Sequence, residues 1–270
     1  MAKTIFITGA SSGIGKATAT YFADKGWNVI ATMRNPQAAM DLTEYKNITL
    51  LRLDITRPDQ ITETVEKAIR LGNVDVVLNN AGYGIVGAFE GTDDNEIERI
   101  VNTNLLGVIR VTKAFLPHFR EKKNGTFITV SSEGGLIAYP FFSLYHATKW
   151  AIEGWTESLS FELNPLGIQI KTVQPGPTKT DFGGRSLVTA SHQAYDATFR
   201  KFSGAFLSEE AIDNFPPVET VSEVIYEAAT DGKNQLRYLA GKIANNNYTK
   251  RVELGAEAFH QEMNKLFLGA

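Results

Sequence analysis

A chain of 270 residues, 43% of them hydrophobic, is long enough to bury one large core, and its net charge of −3 gives no basic surface for nucleic acid or an acidic membrane. The absence of cysteine excludes disulfides, a thiol nucleophile and Cys-ligated zinc. The four histidines are scattered without the spacing of metal ligands, so no metal site is predicted.

Strand-like and helix-like segments alternate along the chain. The predicted strands lie at about 4–8, 28–33, 48–53, 74–79, 125–131, 168–174 and 237–240. The predicted helices lie at about 13–25, 36–44, 58–71, 93–121 (with a break), 143–163, 218–229 and 245–267. Continuous apolar runs such as residues 74–78 are typical of strands covered by helices on both faces. The pattern predicts an α/β protein with a doubly wound parallel sheet in a single domain, residues 1–270.

Two segments lie outside this alternation. Residues 175–217 form a long irregular stretch, which predicts a substrate-binding loop or lid. Residues 245–270 are predicted to form a helical extension that covers either the active site or a neighbouring subunit. The sequence contains no signal peptide and no 18-residue apolar run, so a cytoplasmic protein without a membrane partner is expected.

The first predicted strand leads directly into a glycine-rich turn, T-G-A-S-S-G-I-G at residues 8–15, and then into a helix. Glycine permits positive φ and close approach of a ligand to the backbone. The N–H groups and the dipole of the helix that follows favour an anion. The turn is therefore a variant of the fingerprint that holds a dinucleotide pyrophosphate, unless it only packs the helix on the strand. A P-loop is excluded because Ala10 and Ala17 replace the glycine and the hydroxyl that it requires.

A second group of residues has the chemistry of proton transfer. Tyr145 and Lys149 are four residues apart on a predicted helix, so their side chains share a face. A nearby ammonium lowers the pKa of a phenol, and such a pair can move a proton to or from an alcohol oxygen. Ser132 follows the fifth strand, at the sheet edge where ligands bind, and can hold a substrate oxygen. Asn104 precedes Gly107 in a helical stretch, which favours a kink that holds water. The alternatives are a surface Tyr–Lys pair and an exposed asparagine.

Taken together, these motifs resemble those of the short-chain dehydrogenase/reductase family over residues 3–241, and most closely its hydroxysteroid- and retinol-dehydrogenase-like or carbonyl-reductase-like members. The matching motifs are residues 8–15, Asp54, N-N-A-G at 79–82, Asn104, Ser132, Y-x-x-x-K at 145–149 and P-G-x-x-x-T at 175–180. The resemblance implies a Rossmann-type sheet of seven strands in the order 3-2-1-4-5-6-7.

The resemblance also implies a role for each matching residue. Tyr145 would be the acid/base, Lys149 would bind the nicotinamide ribose, Ser132 would polarise the carbonyl, and Asn104 would anchor the water of a proton relay. The implied cofactor-binding residues are Gly9, Ser11, Ser12, Gly13, Ile14 and Gly15 at the pyrophosphate, Asp54 at the adenine, Asn79, Ala81 and Gly82 at the adenosine ribose, and Pro175, Gly176, Thr178 and Thr180 at the nicotinamide. Thr178 replaces the usual Ile or Val of the family, which leaves the carboxamide contact open.

The end of the second strand bears on cofactor choice. An acidic residue there would select NAD, but the sequence has Met33 followed by Arg34. A guanidinium matches a 2′-phosphate in charge and geometry, so NADP(H) is favoured over NAD. The alternative is that Arg34 is a solvated charge and both cofactors bind.

Aromatic and apolar residues cluster in the parts of the chain that would surround a substrate. They are Tyr83, Leu136, Ile137, Tyr139, Phe141, Phe142, Phe182, Leu187, Val188, Tyr195, Phe199, Phe202, Phe206, Leu207 and Phe215. Such a wall suits a lipophilic ketone or secondary alcohol, for example an aryl ketone, a steroid or a retinoid. Arg185, Arg200 and Lys201 are interpreted as solvated charges. The alternative is that the aromatic residues only fasten the lid to the core.

The predicted activity is therefore reversible carbonyl reduction and alcohol oxidation by hydride transfer, without a metal. One alternative is a non-catalytic protein of the same fold that senses the cofactor or binds partners. An epimerase or dehydratase would need a larger C-terminal domain. Apolar residues on more than one side of the helices at 97–121 and 146–163 predict a homodimer or homotetramer.

Overall fold

The computed structural model describes residues 2–179, 186–206 and 208–269. Nine strands are present in this part of the chain: β1 (Thr4–Thr8), β2 (Asn28–Met33), β3 (Ile48–Arg52), β4 (Val74–Asn79), β5 (Gly84–Gly87), β6 (Gly125–Val130), β7 (Ile168–Pro175), β8 (Leu187–Ala190) and β9 (Arg237–Ala240). Seven of them form an all-parallel sheet in the order β3-β2-β1-β4-β6-β7-β9. The predicted seven-stranded parallel sheet and its strand order are thus confirmed.

The α-helices of the described residues are α1 (Gly13–Asp24), α2 (Pro58–Leu71), α3 (Asp94–Val101), α4 (Val108–Lys122), α5 (Ser143–Leu163), α6 (Asp196–Phe206), α7 (Glu209–Asp213), α8 (Glu219–Thr230), α9 (Lys242–Leu254) and α10 (Ala256–Leu268). They cover both faces of the sheet because side chains alternate along each strand. In β1, Ile5 and Ile7 join a core with Phe22 of α1, whereas Phe6 joins the opposite core with Phe115 of α4.

Two helical predictions need correction in detail. Residues Pro36–Glu44 form 3₁₀ turns rather than an α-helix, since Ala39 adopts φ −141° and interrupts the helical conformation. The predicted helix at 245–267 is two helices, α9 and α10, separated by Gly255 at φ +79°. The break expected within 93–121 is a π-helical turn over Asn102–Gly107, between α3 and α4.

The segment 175–217 is more regular than the sequence predicts. It contributes β8, which pairs in parallel with β5 as a separate two-stranded sheet, and the helices α6 and α7. The prediction of a largely irregular stretch is therefore wrong for the described residues. None of the helices in the described ranges has the length and apolar character needed to cross a membrane.

Candidate active site

A cleft of about 730 Å³ lies along the carboxyl ends of the parallel strands. Most of the site residues predicted from the sequence lie on its walls: Gly9, Ser11, Ser12, Gly13, Ile14, Arg34, Asp54, Ala81, Gly82, Ser132, Tyr145, Lys149, Pro175, Gly176 and Thr178. Thr180 lies outside the described residues. The sheet therefore brings together residues that are up to 169 positions apart in the chain.

The glycine-rich turn packs closely against Asn80 and Ala81, which directly follow β4. Gly9 adopts φ +71°, and a Cβ there would lie 2.8 Å from the Cα atom of Ala81. The Asn80 side-chain amide donates to the carbonyl oxygens of Thr8 and Gly9, at 3.0 Å each. Gly13 also has positive φ, at +52°, at the first turn of α1. The floor of the cleft is thus bare backbone at a helix N-terminus, which fits the pyrophosphate of a dinucleotide.

Two of the predicted cofactor residues lie one layer behind the cleft wall. A Cβ at Gly15 would be 2.4 Å from the Gly9 carbonyl oxygen, so Gly15 lets α1 approach the turn. Asn79 is buried, and its side-chain amide donates to the Thr112 hydroxyl at 3.0 Å. Both residues therefore shape the floor of the cleft from behind.

Three predicted catalytic residues converge on the cleft. The hydroxyls of Ser132 and Tyr145 are hydrogen-bonded to each other. The Ser132 hydroxyl also accepts from the Gly134 N–H at 3.0 Å. Lys149 is only 8% exposed, and its Nζ donates to the Val130 carbonyl at 2.9 Å. That Nζ lies 5.5 Å from the centroid of the Tyr145 ring.

The electrostatics of this group are governed by burial. Loss of hydration is the largest effect on Tyr145 and raises its pKa from 10.0 to about 12, while the hydrogen bond with Ser132 acts in the opposite direction. The lowered phenol pKa expected from the Tyr–Lys spacing is therefore not observed. Burial also lowers the pKa of Lys149 to about 8, and the charge of Glu153 partly opposes this fall.

Asn104 lies behind the wall, within the π-helical turn. Its Oδ1 accepts from the Tyr83 N–H at 3.1 Å, and its Nδ2 donates to the Tyr83 carbonyl at 2.8 Å. The same Nδ2 also donates to the Thr148 hydroxyl, at 3.3 Å. Asn104 thus fastens the turn after β4 to α5, next to Lys149.

Sequence reasoning missed a buried acid beside Ser132. Glu133 is 2% exposed and lines the cleft together with Tyr139. Its two carboxyl oxygens accept from the Tyr139 hydroxyl at 2.8 Å and from the Asn247 side-chain amide of α9 at 3.1 Å. Burial raises its pKa to about 7. The only signal in the sequence is a charged residue in the otherwise small and apolar run S-S-E-G-G-L-I.

His146 is a second residue whose place the sequence did not indicate. Its Nδ1 donates to the Gly134 carbonyl at 2.7 Å, and its Nε2 accepts from the Tyr139 N–H at 3.0 Å. These two bonds fix the neutral tautomer that carries the proton on Nδ1. Burial lowers the pKa of His146 to about 4. The uncharged imidazole therefore holds the segment between Ser132 and Tyr145 in place through these two hydrogen bonds.

The far end of the cleft is mostly apolar. Its apolar lining there consists of Tyr83, Tyr139, Phe142, Leu187, Val188, Phe206, Ile212 and Phe215, and the charged residues Arg99, Glu133 and Lys179 also line the cleft. Phe202 lies buried behind Phe206, with the two ring centroids 5.2 Å apart. Arg200 and Lys201 are exposed, in agreement with their interpretation as solvated charges. Phe182, Arg185 and Leu207 lie outside the described residues.

Comparison with known proteins agrees with this geometry. The family model described as short chain dehydrogenase matches residues 3–188. An uncharacterised oxidoreductase of Schizosaccharomyces pombe is 38% identical over 210 residues, which cover 77% of this chain and 88% of the relative. A 3-ketodihydrosphingosine reductase of Bacteroides thetaiotaomicron is 37% identical over 72% of both chains. Human retinol dehydrogenase 8 is 34% identical over 73% of this chain and 65% of its own length.

Solved structures extend the similarity over nearly the whole chain. A short-chain dehydrogenase from Streptomyces avermitilis has a TM-score of 0.85 at 31% identity and covers 98% of this chain and 95% of its own. The structure of ElxO with NADP bound has a TM-score of 0.75 at 28% identity over 90% of this chain and 100% of its own. With its parallel sheet, glycine-rich turn and Ser132–Tyr145–Lys149 group, the chain belongs to the short-chain dehydrogenase family, whose members are oxidoreductases that use a nicotinamide cofactor.

Proposed function

We propose that the protein is an NADP(H)-dependent oxidoreductase that reduces a lipophilic ketone or oxidises the corresponding secondary alcohol. The observation that carries this proposal is the hydrogen bond between Ser132 and Tyr145 on a cleft wall that also holds the Lys149 ammonium. This arrangement supplies a proton donor, a polarising hydroxyl and a positive charge around one position where a carbonyl oxygen can bind.

The residues along the strand ends divide into a cofactor end and a substrate end. The backbone at Gly9, Gly13 and Ile14, with the hydroxyls of Ser11 and Ser12, would hold the pyrophosphate, and Gly15 would let α1 approach it. Asp54 would contact the adenine, and Asn79, Ala81 and Gly82 would shape the ribose site. Pro175, Gly176, Thr178 and Thr180 would hold the nicotinamide, which when bound supplies the hydride for reduction or accepts it in oxidation.

The protein side of the reaction is proton transfer to the substrate oxygen. The pKa of Tyr145 is about 12, so the phenol is protonated at neutral pH and is ready to donate. Ser132 would stabilise the negative charge that develops on the same oxygen. The Lys149 ammonium, beside the phenol ring, would stabilise the phenolate left after donation. Asn104 would anchor the water that returns a proton through Lys149.

The preference for NADP(H) rests on Arg34. Its side chain is exposed at the cleft wall beyond β2, where a ribose 2′-phosphate would add two negative charges. ElxO, with 28% identity, binds NADP in its solved structure. We expect Arg34→Gln to lower kcat/KM for NADPH by roughly 10- to 100-fold and to leave the value for NADH nearly unchanged.

Steady-state kinetics with both cofactors measure this preference. Arg57→Gln is the matched control because Arg57 is also exposed but pairs with Asp59 at 3.1 Å and does not line the cleft. A wild-type protein that prefers NADH, or an Arg34 variant that loses both cofactors equally, contradicts the assignment.

The proposed substrate class is supported by the apolar end of the cleft. Aromatic and aliphatic side chains from β8, α6 and the turn before α5 would exclude water from the reacting carbonyl. Two relatives are named for lipid substrates, 3-ketodihydrosphingosine and retinol. These observations support a lipophilic ketone over a sugar or a phosphorylated metabolite.

An NADPH-consumption screen over aryl ketones, steroids, retinoids, long-chain ketones, sugars and acyl thioesters tests the proposal. With the best substrate, Tyr145→Phe is expected to lower kcat by roughly 10²- to 10⁴-fold while cofactor binding persists. Tyr195→Phe is the control because that hydroxyl bonds to the exposed Glu90 at 3.0 Å, away from the cleft wall.

Each outcome of the screen has a distinct meaning. Higher kcat/KM for polar carbonyls than for every lipophilic ketone would overturn the substrate class only. Tight NADPH binding without turnover of any substrate would favour a cofactor-sensing protein instead of an enzyme. Full activity in Tyr145→Phe would remove Tyr145 from the proton transfer.

A further inference from the structure

A buried carboxylate lies one helical turn beyond Lys149. Glu153 is 4% exposed, although it occupies the middle of α5. Its Oε1 accepts from the Gln174 side-chain amide at 3.0 Å, and its Oε2 accepts from the Thr172 hydroxyl at 3.2 Å and from Arg237 Nε at 2.9 Å. Groups from β7 and β9 therefore hold the carboxylate in one place.

The same carboxylate shares an enclosed region with Lys149. The two residues are four apart on one helix and so lie on one face. The turn after Ser132 packs over this part of α5, since a Cβ at Gly135 would lie 3.0 Å from Glu153 Cγ and 3.1 Å from the main-chain carbonyl oxygen of Lys149. Little water can screen the charges in this region.

Other charged and titratable groups approach this pair from each neighbouring element. On α5, Tyr145 lies on one side of Lys149, and His146 is a neutral imidazole held by Gly134 and Tyr139. The charge of Glu133, from the turn, acts on Tyr145. On the outer side, Arg237 of β9 bonds to both Glu153 and Glu157. Glu153 is thus placed between two cations, with Lys149 inside and Arg237 at the edge.

A buried ammonium needs a compensating charge because dehydration favours the neutral amine. For Lys149, burial lowers the pKa to about 8, and the charge of Glu153 keeps it from falling further. With the role proposed above, Lys149 is useful only while it carries its charge, so Glu153 would protect that charge in the physiological pH range.

Building on the proposed role of Lys149, we propose that Glu153 is a positioning residue that keeps the Lys149 ammonium charged, and that Arg237 and Gln174 hold its carboxylate for this purpose. Glu153 does not contact the reacting atoms and acts through Lys149. Along α5, Tyr145 lies one turn before Lys149 and Glu153 one turn after it, and Glu153 is not part of the cleft wall, so this role is electrostatic.

Glu153→Gln tests the charge with little change in shape. Gln174 Oε1 is buried and has no hydrogen-bond partner among the described residues, so a flipped Gln174 amide can accept from the new side-chain amide. Glu157→Gln is the matched control, because Glu157 accepts from Arg237 Nη2 at 2.6 Å on the exposed side. Each variant removes one carboxylate from Arg237, but only Glu153 is one helical turn from Lys149.

A third variant, Arg237→Gln, separates charge from structure. It removes the cation on the outer side of Glu153, so the field of Glu153 on Lys149 grows and Lys149 should titrate at higher pH. If Glu153 were only a structural tie between α5 and β9, Glu153→Gln and Arg237→Gln would act in the same direction.

The direct measurement is NMR titration of the Lys149 ¹³Cε resonance in the free protein, assigned with Lys149→Arg. We expect the Lys149 titration in Glu153→Gln to move to lower pH by on the order of one unit, with no shift in Glu157→Gln. The alkaline limb of the kcat/KM profile should move in the same direction by a similar amount.

Two results would overturn the inference: an unchanged Lys149 titration in Glu153→Gln, or equal shifts in the Glu153 and Glu157 variants. Shifts of the same sign in Glu153→Gln and Arg237→Gln would also refute it. Failure of the wild-type protein to turn over any carbonyl would refute the proposed function but not the NMR comparison, so the two failures are distinguishable.

Discussion

Burial of the Glu133 carboxyl makes the stability of the protein depend on pH. Its pKa is raised from 4.5 to about 7, so the unfolded chain ionises before the folded protein does as the pH rises. The contribution of this group to the free energy of unfolding is therefore highest below pH 4.5 and falls by about 3 kcal/mol until about pH 7. The group adds no further pH dependence above that range.

We expect Glu133→Gln to remove this pH dependence. Between pH 5 and pH 8, the stability of the variant relative to wild type should rise by about 2 kcal/mol, because only the wild-type protein has to keep the carboxyl protonated or bury its charge. Urea unfolding at the two pH values measures the change. The exposed Glu44→Gln is the control, and an equal stability difference at both pH values would contradict the prediction.

His146 acts in the opposite direction at lower pH. Its pKa is lowered from 6.5 to about 4, so its contribution to stability is complete above pH 6.5 and is lost as the pH falls through 4. The comparison of Glu133→Gln with wild type cancels this effect because both proteins contain His146.

Local sequence motifs identify single residues better than they identify their surroundings. Tyr145 and Lys149 were predictable because four-residue spacing on a helix is a local property. The burial of Glu133 depends on Asn247, 114 residues away, and that of Glu153 depends on Arg237, 84 residues away. No local pattern indicates such partners, and for the same reason the raised pKa of Tyr145 could not be foreseen.

At the scale of elements, the start of α1 tolerates no side chain at Gly15. We expect Gly15→Ala to destabilise the protein and to weaken cofactor binding, because its Cβ would overlap the Gly9 carbonyl oxygen and the Asn80 amide, each 2.4 Å away. Gly204→Ala on α6 should instead raise the free energy of unfolding by about 0.5 to 1 kcal/mol, because its Cβ meets nothing within 4 Å.

Thermal unfolding and cofactor titration of the two glycine variants provide the measurement. The variants make the same substitution within helices, so they differ in the space available and not in helix propensity. Wild-type cofactor affinity in Gly15→Ala would show that the turn can move away from α1, contrary to the prediction.

Elements with a strong periodic pattern were predictable, and short paired elements were not. The bounds predicted for the apolar strands at residues 4–8 and 74–79 are the same as those of β1 and β4 in the structure. In contrast, β5 and β8 have four residues each, and their pairing joins Gly84 to Leu187 across about a hundred residues. Each is stabilised by the other and not by its own pattern, which is why neither is among the strands predicted from the sequence.

For the whole molecule, the outer face of α5 leaves large apolar side chains in water. Trp150 is 46% exposed and Phe161 is 74% exposed, while Phe115 of the neighbouring α4 is buried in the core. We expect this face to form the interface of a homodimer or homotetramer, because burying such side chains between subunits is favourable.

Phe161→Glu should therefore reduce the mass measured by light scattering at micromolar concentration to that of a monomer. Phe89→Glu is the matched control, since Phe89 is similarly exposed, but outside α5. A monomeric wild-type protein, or dissociation in both variants, would count against the α5 interface.

The order of the seven strands was predictable because family resemblance fixes topology as well as motifs. The position of the C-terminal segment was not, since its hydrophobic residues indicate that it packs but not against what. In the structure Phe259 and Met263 of α10 pack against Ile137, and Phe267 packs against Tyr139 and Phe206. The apolar end of the cleft is thus supported from behind by α10.

This support comes from a segment that the ribosome makes after the rest of the described chain. The glycine-rich turn, β4 and the Tyr145–Lys149 helix are synthesised before residues 256–268, but a single domain generally folds as a unit. A nascent chain therefore cannot complete the apolar end of the cleft until residues 256–268 have left the ribosome. During synthesis, selectivity among ketones should appear only after this segment has emerged.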